Sequence, residues 1–219
     1  MGFCFFNNIA IAANYAKLKY KIKKCAVIDF DVHHGNGTQK MFWNDPNMFY
    51  ASTHQEGIFP GTGFKEETGI NNNIVNVPLP AGTDSSLFKK SYEEVIFPSL
   101  EQFSPDIIFI SAGFDAHVDD PLGGMRLTVE GYGTLTRLIY RLALEHCDGR
   151  VVIVTEGGYH LPALESCLEE ILVVTGEQIH DLQQILPVSG PTDVAEAALG
   201  PILLAQTPYW PSISTSAQL

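Results

Sequence analysis

The stretch Asp29-Phe30-Asp31-Val32-His33-His34 brings two carboxylates and two imidazoles together directly after an apolar run that begins at Cys25. Side chains alternate along a strand, so Asp29, Asp31 and His33 fall on one face while Phe30 and Val32 fall on the other. Such a cluster is costly to bury without a cation. Zinc takes imidazole nitrogen and carboxylate oxygen readily, and a catalytic site keeps one position open for water. A polar turn with helix-capping aspartates would account for one of these carboxylates but not for three aligned polar groups. Gly35 and Gly37 follow and permit a tight turn into a helix.

Two further segments carry the same type of chemistry. Ser111-Ala112-Gly113-Phe114-Asp115 follows the apolar run Ile107 to Ile110, so Asp115 is placed to reach the first cluster as a third ligand. Beyond it, His117, Asp119 and Asp120 are expected to stay outside the site, with Asp119-Asp120-Pro121 forming a solvated turn. Thr155-Glu156-Gly157-Gly158-Tyr159-His160 follows a third apolar run. Its glycines let the backbone bend and bring Tyr159 to the rim, where a phenol can hydrogen-bond a carbonyl oxygen as it becomes an oxyanion.

The elements that must position these residues can be read from hydrophobic patterning. Cys25 to Phe30, Met48 to Ala51, Ile74 to Val77, Ile107 to Ile110 and Val151 to Val154 are continuously apolar and read as buried strands. Helical periodicity spans Asn8 to Leu18, Leu87 to Phe103, Val129 to His146 and Leu161 to Val174, with Asp84 and Thr128 as N-caps. This alternation predicts an α/β fold with a mostly parallel sheet and helices on both faces, whose ligands gather at the carboxyl ends of the strands. The glycine-rich stretch from Thr53 to Asn73 has no helical period and reads as a long functional loop. Residues 1–176 form the catalytic domain in this reading, and residues 177–219, interrupted by prolines, form a peripheral helical tail of the same domain.

Composition narrows the partners. The chain of 219 residues carries 25 Asp and Glu against 13 Lys and Arg, a formal charge of −12, with 45% hydrophobic residues. That composition excludes disorder, collagen and coiled coil, and the acidic balance argues against direct nucleic-acid binding. No apolar run reaches the ~18 residues of a membrane span, and no basic leader or myristoylation pattern opens the sequence. Cys4, Cys25, Cys147 and Cys167 form no C-x-x-C pair, which fits buried thiols in a reducing cytoplasmic or nuclear compartment.

In unbroken order, Gly2-Phe3-Cys4-Phe5-Phe6-Asn7-Asn8, Asp29 to Thr38, Phe59-Pro60-Gly61-Thr62-Gly63, Ala112 to Gly124 and Glu156 to Tyr159 resemble the histone deacetylase family, whose α/β fold is shared with arginase. Asn36, Asp119 to Gly124 and Glu156 to His160 resemble the class II and bacterial branch. The resemblance implies a zinc-dependent deacetylase of acyl-lysine proteins, or of acetylated polyamines, with zinc on Asp31, His33 and Asp115 and with Tyr159 polarising the carbonyl. It also implies a structural potassium ion near the side chains of Asp29 and Ser52 and the backbone carbonyls of Asp31, His33 and Thr53. Phe3, Phe59 and Gly158 would line an apolar tube for the lysine methylenes. The family's proton-transfer histidine pair lies ahead of the Gly-Phe-Cys motif and is not found before Gly2. An amino-truncated member is therefore expected, with an in-frame Pro-Gly-His-His segment upstream of Met1.

Two other readings compete. A binuclear manganese ureohydrolase could use the Asp115-Ala116-His117-Val118-Asp119 string, but Gly35 stands where a second metal would want a carboxylate, so one metal is expected. A non-catalytic acyl-lysine or metal-binding remnant would keep the pocket without the histidine pair. Cys4 has no assignable His and acidic partner and is expected to be a packed thiol rather than a nucleophile.

Overall fold

The computed structural model describes residues 3–176 and 192–213. Residues 177–191, which hold Pro187 and Pro191 of the expected tail, lie outside the described residues, as do Met1 and Gly2 of the first motif. Five parallel strands, β1 (Cys25–Asp29), β2 (Met48–Gln55), β3 (Ile74–Leu79), β4 (Ile107–Ala112) and β5 (Val151–Thr155), form one sheet in the order β3-β2-β1-β4-β5. The chain winds from β1 outward to β3, then crosses back to β4 on the other side of β1. The strand order therefore reverses between β1 and β4, and the crevice beyond their carboxyl ends is where ligands bind in open parallel sheets. The register pairs Asp29 with Ser52 on one side and with Ser111 on the other, so all three strands deliver their polar ends at one level.

Helices α1 (Asn8–Tyr20) and α2 (Asn36–Phe42) cover one face, around a core of Ile9, Ala13, Val27, Phe42, Tyr50 and Phe109. The other face carries the larger core, under α3 (Ser85–Ser91), α4 (Phe97–Phe103), α5 (Val129–Cys147), α6 (Leu161–Thr175) and α7 (Thr192–Gln206). Both expected caps are present: Asp84 Oδ1 accepts the backbone N–H groups of Ser86 (3.1 Å) and Leu87 (3.0 Å), and Thr128 Oγ1 accepts that of Gly131 (3.2 Å). Beyond α7, Trp210 sets its ring edge-on to Phe49 at 5.7 Å.

The structure departs from the sequence reading in two elements. The helix expected from Leu87 to Phe103 is continuous in path but changes to a π turn over Tyr92–Ile96, where the Phe97 N–H reaches back to the Tyr92 carbonyl. Pro98, which has no N–H to donate, stands just past this change of register. The second departure is β5, which is not a buried strand. Its residues are half-buried or exposed, with Val152 38% exposed. Apolar content alone cannot reveal this, because β5 is the sheet's edge and, among the described residues, no helix packs on it as α1 packs on β1 and β4.

Candidate metal centre

The strand ends converge as their spacing predicts. Asp31 and His33 leave β1, Asp115 leaves β4, and donor atoms from the three lie within 4.8 Å of one another. Among the described residues no other group of His, Cys, Asp or Glu side chains converges in this way. His33 Nδ1 faces both carboxylates, 3.0 Å from Asp115 Oδ2 and 3.2 Å from Asp31 Oδ1. The backbone fixes each group in turn: Asp115 Oδ1 accepts the Val32 N–H (2.9 Å), and Asp31 Oδ2 accepts the Gly157 N–H (2.9 Å). Gly113 and Gly157 are required here, since a Cβ on either would collide with the Asp31 carboxylate, and at Gly157 with Asp115 as well.

The charge balance of this crevice is negative. Asp31 and Asp115 both face the His33 imidazole, and Asp29 and Glu156 lie close enough to Asp31 to feel its charge. Hydrogen bonding to Asp115 first, and then to Asp31, pushes the His33 pKa up to about 10. Burial raises the Asp115 carboxyl to about 6 and also lifts Glu156 and, strongly, Asp29. Carboxylates held this close in a dry crevice call for a cation, and two carboxylate oxygens plus an imidazole nitrogen match the donor preference of zinc. The donor set therefore fits a divalent metal held by Asp31, His33 and Asp115.

Tyr159 stands on the same rim, 38% exposed, with its ring edge-on to Phe3 at 5.9 Å. Burial, followed by the charges of Asp115 and Asp31, pushes its phenol up to about 12, so it remains a proton donor at neutral pH. Phe59 approaches the His33 ring at 6.4 Å from the other side. Phe3 (82%) and Phe59 (55%) are both substantially exposed, so they form an open aromatic rim. Gly158, expected beside them, has φ +135°, and the Cβ it lacks would point at Leu164 and Phe114 in the core. Its contribution is therefore a backbone conformation rather than a wall.

Behind the triad, Asp29 and Ser52 are neighbours across β1 and β2, and both are buried. Asp29 Oδ2 accepts a hydrogen bond from the Tyr50 hydroxyl (2.8 Å), while the Ser52 hydroxyl pairs with His54 Nδ1 (2.9 Å). Thr53 Oγ1 donates weakly to the Asp29 carbonyl (3.4 Å) and meets the Tyr92 hydroxyl (3.1 Å).

The long loop is bolted down by polar groups that patterning did not single out. His34 Nδ1 pairs with Thr62 Oγ1 (2.7 Å), and its Nε2 pairs with Gln39 Oε1 (2.9 Å). His54 Nε2 donates to the Gly63 carbonyl (3.0 Å). Gln39 Nε2 and the Gly63 N–H both donate to Glu67 Oε2, at 2.7 and 3.1 Å. Burial holds both imidazoles neutral, pushing His54 down to about 3, so the loop that carries Phe59 is tied by uncharged hydrogen bonds to the turn that carries His33.

Two expectations need correction here. Cys4 is not packed but exposed, because residues 3–6 precede α1 on the surface; Cys25, Cys147 and Cys167 are buried. Asp120 is not part of a solvated turn, since it is only 6% exposed. The turn residues around it suggest solvent, but its carboxylate is consumed by backbone N–H groups inside the fold. Asp119 does face solvent, and His117 Nδ1 accepts the Asp119 N–H (3.2 Å), so the Asp-x-His-x-Asp string supplies one group to the triad, not three.

This α/β fold, with an Asp, His and Asp set and a tyrosine converging at the switch point, has the deacetylase and arginase architecture. The sequence pattern of the histone deacetylase domain matches residues 1–175, and the chain belongs to that family. It is 46% identical over 173 residues to the chloroplastic histone deacetylase 14 of Arabidopsis thaliana, covering 78% of this chain and 41% of that protein. It is 44% identical over 161 residues to a probable deacetylase of Archaeoglobus fulgidus, covering 72% of this chain and 45% of that one. The crystal structure of the HDA15 HD domain superposes with a TM-score of 0.87 at 33% identity, covering 100% of this chain and 61% of that one. The chain thus spans about half the length of these curated relatives. No helix among the described residues is long and apolar enough to cross a membrane.

Proposed function

We propose that the protein is a zinc-dependent amidohydrolase that removes acetyl groups from lysine side chains. The observation that carries this reading is the placement of Tyr159 on the rim of a triad built from Asp31, His33 and Asp115 at the sheet's switch point. Zinc bound there supplies Lewis acidity toward the amide carbonyl and lowers the pKa of water toward ~7. Asp31, His33 and Asp115 would hold the ion, Asp115 fully buried and Asp31 and His33 half-buried, with hydrogen bonds from the strand ends fixing the carboxylates. The Tyr159 phenol, protonated at neutral pH, donates a hydrogen bond to the carbonyl oxygen as negative charge grows there. Phe3 and Phe59 flank the approach and shield the lysine methylenes from water. Asp29 and Ser52, with backbone carbonyls of Asp31, His33 and Thr53, are the groups that would hold a structural potassium ion.

The test is acetate release from acetyl-lysine peptides and acetylated polyamines by the zinc-loaded protein. The peptides should be hydrolysed, and stripping the metal with a chelator should abolish acetate release. Preference for acetylpolyamine would redirect the substrate assignment, and no acetate from any substrate would contradict the reading.

A further inference from the structure

Asp120 lies five residues beyond Asp115, in the loop after β4, and three backbone groups converge on its carboxylate. Oδ2 accepts the N–H groups of Tyr159 (2.7 Å) and His160 (3.1 Å), and Oδ1 accepts that of Leu122 (2.9 Å). The side chain is buried and takes part in no ion pair with a lysine or arginine among the described residues. Its oxygens are therefore satisfied by backbone N–H donors, two of them immediately ahead of α6. His160 occupies the N-cap position of α6 and makes no side-chain cap; Asp120 accepts the N–H groups of His160 and of Tyr159 just before it, not those of the first helical turn.

This matters because of the path by which Tyr159 reaches the rim. Gly157 and Gly158 immediately precede it, and Gly158 adopts φ +135°, a conformation that restrains nothing by itself. The position of the phenol must be imposed from outside. On one side Gly157 is held between strand ends: its N–H donates to Asp31 Oδ2 (2.9 Å), and its carbonyl accepts the Phe114 N–H (2.9 Å). On the other side Tyr159 is held by Asp120. That loop is in turn anchored, with the Asp120 N–H bonded to the His117 carbonyl (3.0 Å) and the His117 N–H to the Phe114 carbonyl (3.2 Å). One short segment therefore sets both Asp115 and the backbone of Tyr159.

We infer that Asp120 is a positioning residue that fixes the Tyr159 phenol relative to the Asp31, His33 and Asp115 triad. This rests on the reading of Tyr159 as the group that polarises the substrate carbonyl.

The test is a double-mutant cycle in the zinc-loaded protein. Asp120→Ala should lower kcat by about 10–100-fold, the range found when groups that orient metal-site residues are lost, with KM within about twofold and zinc content unchanged. Asp120→Asn keeps one oxygen able to accept the Tyr159 N–H and should recover much of the loss. In a Tyr159→Phe background, Asp120→Ala should cost no more than about twofold. An equal cost in both backgrounds, or full kcat for Asp120→Ala, would overturn the inference. If Tyr159→Phe leaves activity intact, or no substrate is turned over, the catalytic reading fails and positioning is decided by NMR of ring-labelled tyrosine. The Tyr159 resonance, assigned by its loss in Tyr159→Phe, should shift and broaden in Asp120→Ala, and an unchanged resonance would overturn the inference.

Discussion

Replacing Asp115 with Asn should abolish high-affinity zinc binding and amide hydrolysis together while leaving the fold intact. Asp115 is fully buried, and its two oxygens have separate duties: Oδ1 accepts the Val32 N–H (2.9 Å), and Oδ2 faces His33 Nδ1 (3.0 Å). Asn preserves an acceptor for Val32 but removes the anionic oxygen from the triad. Alanine removes both, and the stranded Val32 N–H would cost about 1–3 kcal/mol of stability as well. The Asn variant thus separates chemistry from folding. Zinc affinity should fall by more than the ~10²-fold that loss of an outer hydrogen bond produces, since an inner donor is gone. Hydrolysis should drop to the uncatalysed background. Equilibrium dialysis, the acetate assay and thermal melting check the three parts, and retained zinc with lost activity would place the metal elsewhere.

The second large effect belongs to Tyr159. Tyr159→Phe keeps the aromatic ring beside Phe3 and removes only the hydroxyl. Loss of one oxyanion donor costs about 10²–10³ in kcat in well-studied hydrolases, and that range is expected here, with KM nearly constant. Zinc content should be unchanged, because Asp31, His33 and Asp115 all remain to hold the ion. Steady-state kinetics with metal analysis on the same preparation is the check. A rise in KM alone, with kcat preserved, would assign Tyr159 to binding rather than to the reacting carbonyl.

Much of this site was legible because its geometry follows from short-range rules. Alternation along β1 places Asp29, Asp31 and His33 on the face opposite Phe30 and Val32, and the apolar runs before Asp115 and Tyr159 mark them as strand ends. In an all-parallel sheet those ends must share one side. The groups that were missed depend on contacts across long separations. Asp120 reads as a turn residue because Asp-Pro favours turns, and only the arrival of the Tyr159 and His160 N–H groups from 39 and 40 positions away makes it interior. The His34 and Gln39 pairing with Thr62 and Glu67 is invisible to periodicity, because a loop without regular structure offers no pattern to read. β5 shows the same limit from the other direction, since an apolar strand looks alike at the centre and the edge of a sheet. Cys4 was misplaced because neighbouring Phe3, Phe5 and Phe6 suggest burial, whereas all of them lie exposed ahead of α1.

The most direct test of the account is calorimetric titration of the metal-free protein with zinc at several pH values, in buffers of different ionisation enthalpy. Without metal, His33 carries a proton between Asp115 and Asp31, with its pKa near 10, and the ligand nitrogen must lose that proton before it can coordinate. The predicted result is one zinc per chain with about one proton released near pH 7, and apparent affinity rising about tenfold from pH 6.5 to 7.5. Two metals per chain, or binding with neither proton release nor pH dependence, would contradict a single metal held by Asp31, His33 and Asp115.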